Sequence, residues 1–307
     1  MINLAADKDV LLVQKDGTSK PLNLEAGRRS FIKSLGLTVA GAAVFGSTTG
    51  FSPTEAQAQG ITDADIFNFA LNLEYLEAEF YLRAAFGRGL SDADVTGTGT
   101  LGGVSGGRLV PFVDTNIRNY AREIASDEEA HVKFIRAVVS DFLGSRQVAR
   151  PTIDIGQAFK DAATAAGLSP TFDPYADDTS FLLGAFIFED VGVTAYKGAA
   201  PLIQNKTLLE AAAGLLAVEA YHAGEIRTIL YARGAFDPAN RISALRGSLG
   251  GGKDQGIGDA NVANIVPTEG RGLAFSRSPT EVLNIVYGNT TTRPGLFFPN
   301  GANGLIR

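Results

Sequence analysis

Only two histidines occur in this 307-residue chain, and each stands three residues after a glutamate, in Glu128-x-x-His131 and Glu219-x-x-His222. On a helix, positions i and i+3 share a face, so each pair aims a carboxylate and an imidazole at one point. Two further glutamates complete a pattern. Glu74 is followed seven residues later by Tyr81, and Glu189 seven residues later by Tyr196. Turning these segments at ~100° per residue puts Phe67, Ala70, Leu71, Ala78 and Tyr81 around Glu74. The same rotation puts Leu182, Ala185, Phe186, Val193 and Tyr196 around Glu189. A lone carboxylate inside an apolar stripe is heavily penalised or keeps its proton, and a bound metal ion removes that penalty. The chain thus reads Glu74…Tyr81…Glu128-x-x-His131, then Glu189…Tyr196…Glu219-x-x-His222, a twofold repeat of one helix pair. Four carboxylates and two imidazoles form a hard donor set for two divalent ions, suited to iron or manganese over copper or zinc.

The neighbours of these six residues read differently. Glu77 lies about 60° off the centre of the Glu74 stripe, and its counterpart three residues after Glu189 is Gly192. It reads as a rim group that supports the ligands. Tyr81 and Tyr196 fit either core aromatics with a hydrogen-bonded hydroxyl or supports and electron donors beside the ligands. Glu225, one turn after His222, fits either a group orienting that ring or a surface residue. Glu79 and Glu129 point away from the ligand face and read as solvated.

Composition narrows the chemistry further. There is no cysteine, which excludes disulfides, thiolate catalysis, Cys-type zinc and iron–sulfur clusters. Acids outnumber bases 33 to 27, for a net charge of −6. With no basic block, a phosphate-tracking nucleic-acid partner is excluded. Two glycine motifs imitate nucleotide-binding loops. Gly97-x-Gly99-x-x-Gly102 follows no strand, and Gly247-x-x-x-x-Gly252-Lys253 continues with Asp254 where a Ser or Thr must hold magnesium. Both read as ordinary loop glycines.

The elements that must position the ligands are four long helices, spanning about 62–86, 114–143, 178–198 and 205–233, each with a glycine at or near its end. Residues 87–111 form a Gly/Thr-rich loop, and 144–177 a long link with a short helix near 157–166. One long crossover between helices two and three is the connectivity of ferritin-like bundles. An all-α bundle over 59–234 is therefore expected. Residues 235–307, rich in Gly and Pro, read as an irregular extension with one short helix, capped by Ser278-Pro279-Thr280-Glu281.

On these residues the chain resembles the ferritin-like superfamily, in the branch of exported bacterial ferritin-like proteins and plant desiccation-related proteins. The stretches that carry the likeness are Phe69–Tyr81, Asp127–His131, Glu219–His222 and Phe275–Tyr287. The resemblance implies that Glu128 and Glu219 bridge two metals, that Glu74 and Glu189 are terminal ligands, and that His131 and His222 each bind one ion. It implies ferroxidase-like or catalase-like reaction with oxygen or peroxide; in a manganese-catalase-like site Glu219 would instead carry protons. A non-enzymatic scaffold protecting against stress or desiccation is the alternative. The 87–111 loop is longer than in bacterioferritin or rubrerythrin, so their cage geometry does not transfer.

The amino terminus adds an address. Arg28-Arg29-Ser30-Phe31-Ile32-Lys33 resembles a twin-arginine export signal, followed by an uncharged stretch and a small-x-small cleavage site at Ala56-Gln57-Ala58. Export of a folded protein to the periplasm or beyond is expected. The expected partners are the twin-arginine translocation machinery, metal ions and a small oxidant, with homo-oligomerisation left open.

Overall fold

In the computed structural model the described residues are Gly60–Arg307, so the export signal and cleavage site lie outside them. The bundle begins with α1, Asp63–Phe86. Thr62 and Asp65 cap it reciprocally, and Gly87 ends it at φ 69°. Two orphan amides are satisfied at the start, and only a residue without Cβ takes the left-handed turn cheaply at the end. The next helix, α2, is Thr115–Ala137, with the Asp114 carboxylate accepting from the amides of Asn116 and Ile117. Its continuation to Phe142 is a π-helical turn, Val138–Phe142. The apolar pattern therefore runs past the point where α-helical hydrogen bonding stops.

A parallel pair of three-residue strands, β1 (Val104–Gly106) and β2 (Ile153–Ile155), ties the two long links together. The Gly97–Gly102 stretch lies alongside, exchanging backbone hydrogen bonds with residues 147–150, so its glycines serve close backbone packing. After β2 comes α3, Gln157–Ala165. It is followed by α4, Asp178–Ala199, capped by Asp177, and α5, Lys206–Ala232, capped by Asn205. Helix α1 packs along α2, and α4 along α5. Buried rings of Phe80, Phe159, Tyr175, Phe181 and Phe188 meet at 5–6 Å and fasten the crossover to the bundle. The four long helices, with the crossover between α2 and α4, form an all-α ferritin-like bundle.

The extension holds two helices where one was expected: α6, Phe236–Leu249, and α7, Pro279–Tyr287. Pro238 sits in the first turn of α6, where no amide is needed. The buried side of α6 is Ala239, Ile242, Ser243 and Arg246, half of it polar, so hydrophobic periodicity is weak there. Arg246 reaches Asp190 at 2.7 Å and Asp254 at 2.9 Å, and Arg227 of α5 reaches Asp190 at 2.7 Å. Arg277 pairs with Asp254 and donates its backbone amide to the Thr194 carbonyl of α4. Among the described residues no helix is long and apolar enough to cross a membrane.

Candidate metal centre

Each long helix delivers its ligand-type residues to the bundle interior: Glu74 from α1, Glu128 and His131 from α2, Glu189 from α4, Glu219 and His222 from α5. None of the six is more than 7% exposed. They fall into two groups whose donor atoms lie within 4.8 Å of one another: Glu74, Glu128, His131 and Glu219, and Glu128, Glu189 and His222. Both imidazoles present Nδ1. His131 Nδ1 stands 3.2 Å from Glu74, 3.5 Å from Glu128 and 3.6 Å from Glu219. His222 Nδ1 stands 3.2 Å from Glu128 and 3.6 Å from Glu189. The two rings are 6.4 Å apart. Glu128 is common to both groups, whereas Glu219 sides with His131.

These donors fit a metal on the strength of one observation. Both oxygens of Glu128 and Glu219, one each of Glu74 and Glu189, and both Nδ1 atoms are buried without a hydrogen-bond partner. Native proteins seldom strand such atoms, because each stranded group carries its full desolvation cost. Here the stranded atoms converge, and hard oxygen donors with imidazole suit iron or manganese. The remaining oxygens of the outer carboxylates are held crosswise: Tyr81 of α1 donates to Glu189 of α4, and Tyr196 of α4 donates to Glu74 of α1. Each tyrosine thus orients the carboxylate of the opposite helix pair, leaving one oxygen free to face inward.

The electrostatics record a deficit of positive charge. Burial, opposed by the nearby His131, moves the Glu74 carboxyl up to about 7. Burial and the facing Glu219 push Glu77 well up, and Glu219 rises through burial and Glu128. Glu128 goes the other way: burial would raise it, but His131 and His222 together hold it well below the usual carboxylate range. Burial would likewise lower both histidines, yet the carboxylates around them push them far up. Tyr81 and Tyr196, buried against Glu189 and Glu74, stay protonated donors.

Among the neighbouring acids, Glu79 alone departs from its reading in the sequence. Glu77 is buried on the same side as Glu219; a Cβ at Gly192 would collide with Glu219 and lie 3.6 Å from Glu77 Oε1. Gly192 therefore makes the room that both carboxylates occupy. The Nε2 atom of His222 faces Asp127 at 3.4 Å, which takes the first of the two roles open to Glu225. Glu79 is fully buried rather than solvated, with Arg83 at 3.0 Å and Arg150 at 2.5 Å. Arg150, from the crossover link, decides that, and helical rotation alone does not reveal it. Glu129 lies at the surface between Arg88 and Lys133.

A third element of the repeat lies outside the ligand pattern. Five residues after each histidine stands an arginine, Arg136 and Arg227. Arg136 donates to the hydroxyl of Tyr75 at 2.6 Å, and Arg227 to Asp190 at 2.7 Å. Tyr75 and Asp190 directly follow Glu74 and Glu189, so each arginine clamps its helix pair beside a ligand. The signal was the spacing Glu-x-x-His-x-x-x-x-Arg, present twice.

A ferritin-like domain model matches residues 62–232. The desiccation-related protein PCC13-62 of Craterostigma plantagineum is 33% identical over 274 residues, covering 79% of this chain and 83% of that protein. The ferritin-like catalase Nec2 of Nesocodon mauritianus is 32% identical over 270 residues, covering 80% and 84%. No solved structure matches the chain. The chain belongs to the ferritin-like family, and its bundle carries a buried glutamate–histidine cluster able to hold metal.

Proposed function

We propose that the protein is an exported dinuclear metal protein that reacts with oxygen or peroxide. The observation that carries this reading is the convergence of six unpartnered carboxylate oxygens and two unpartnered imidazole nitrogens at one buried point. Two divalent iron or manganese ions bound there would supply one-electron redox steps toward a small oxidant. Glu128 would hold both ions, Glu74, Glu219 and His131 would complete one side, and Glu189 and His222 the other. Tyr81 and Tyr196 keep the outer carboxylates in place, and Asp127 orients His222. The relative named a ferritin-like catalase supports peroxide as oxidant. The relative named desiccation-related supports a second reading, a protective protein without turnover.

Export through the twin-arginine machinery into the periplasm or beyond rests on Arg28–Lys33 and Ala56–Ala58. It accords with loading the metal before translocation. The test is metal analysis of the protein purified from its native compartment, followed by peroxide disproportionation and ferrous oxidation assays. Fewer than one metal per chain would sink the dinuclear reading. A full complement with neither activity would favour the protective one.

A further inference from the structure

The two helix pairs do not meet evenly. Along the seam between α1 and α4 the facing residues include Ala70, Gly192, Ala195 and Ala199, too small to close it. Two cavities of ≈20 and ≈30 Å³ lie there, and both are lined by Leu73, Glu77 and Gly192. The larger reaches inward to Glu74, Glu77 and Tyr196, while Ala70, Leu73, Ala195 and Ala199 at its outer side are only half-buried. The smaller passes beneath α7 and shares Ile187, Ile285 and Phe297 with a third cavity of ≈150 Å³. From the half-buried mouth inward, the lining is hydrocarbon until it meets the carboxylates.

We propose that the α1–α4 seam is the route by which a small uncharged oxidant, of the size of dioxygen or hydrogen peroxide, reaches the centre. This rests on the dinuclear reading above and deepens it by assigning the path its oxidant takes. A void of this volume holds a molecule about the size of water and no organic substrate. An apolar wall offers a hydrated cation no replacement for its water, so metal does not load this way. Dioxygen loses little on entering, hydrogen peroxide gives up hydrogen bonds to water, and either meets its first polar groups at Glu74, Glu77 and Tyr196. Glycine at 192 is needed on this route, since any side chain there would displace Glu219 at the inner end.

The test uses the full metal-loaded protein and two readouts. Crystals pressurised with xenon should show an atom bounded by Ala70, Leu73 and Ala195. Ala195→Leu should abolish that atom, keep the metal content, and slow reaction with oxygen or peroxide by about tenfold or more. Ala70→Val, a smaller change at the opposite wall, should act in the same direction and serves if the leucine variant does not fold. Absence of xenon from the native seam overturns the route. So does an unchanged rate in a fully loaded variant whose seam is filled. Loss of the dinuclear reading has a separate signature: a native protein without metal, whatever xenon shows.

Discussion

Glu189 and Asp190 are consecutive on α4, and they enter two different buried charge clusters. Successive helical residues point about 100° apart, so Glu189 faces the bundle centre while Asp190 faces the extension. Around Asp190 and Asp254 the protein supplies its own cations. Arg227, Arg246 and Arg277 meet these carboxylates, and Phe186 lies beneath two of the guanidinium groups, 4.4 Å from Arg246 and 5.4 Å from Arg227. No oxygen of Asp190 or Asp254 is stranded, and the unpartnered atoms there are arginine Nε groups. Around Glu189 the pattern inverts. Six carboxylate oxygens are stranded, and among the described residues no arginine or lysine meets them; they face two histidines, which the carboxylates push up against the effect of burial. One cluster is complete as folded; the other leaves donor atoms that could hold a metal ion.

The largest break in this contrast is expected at the shared ligand. Glu128→Gln should reduce loading from about two ions per chain to none, while Glu189→Gln should cost only the ion on the His222 side. Metal counting by mass spectrometry distinguishes them, and equal losses in both would contradict the shared position of Glu128. Chelation of the native protein should lower its stability by up to about 4 kcal/mol at metal concentrations a thousandfold above Kd. Unchanged thermal unfolding on chelation would count against the cluster being a metal site.

The complete cluster should break in the opposite way. Arg227→Ala leaves Asp190 short of a partner in the interior and should destabilise the fold by about 3–5 kcal/mol. Urea unfolding measures that cost, while metal content per folded chain should hold. Loss of metal without loss of stability would reverse the roles of the two clusters.

Tyr196→Phe sits between these extremes. It frees the second oxygen of Glu74 and should weaken metal binding by about 10–100-fold, read by competition with a chelator of known affinity. An affinity equal to the native one would show that the cross-bundle hydrogen bond does not position the ligand.

The smallest effect is a pH dependence confined to the extension. Burial would raise Asp254, but Arg246 and Arg277 outweigh it and hold the carboxyl below its ordinary value. A depressed folded pKa means that its contribution is fully present above the unfolded value of about 3.9 and is lost as pH falls through the folded one. Opening of α6 and α7, from hydrogen exchange corrected for the intrinsic amide rates, should therefore be flat at neutral pH and rise only in acid. Asp254→Asn should remove that rise.

The four long helices and the six residues they bring together are legible along the chain. Both depend on local regularities: caps at Thr62, Asp114 and Asn205, and the i, i+3 spacing that places Glu128 with His131 and Glu219 with His222 on one face. Helix α6 is not legible there because its buried face is half polar, and the burial of Glu79 is not, because Arg150, 71 residues away, covers it. Packing between helices sets the rest: Tyr81 serves Glu189 and Tyr196 serves Glu74, Asp127 rather than Glu225 meets His222, and Glu128 is shared between the groups. It also gives two neighbouring acids on α4 opposite surroundings. Spacing along a helix states which way a side chain points. What it points at lies on another helix, and packing alone brings that partner near.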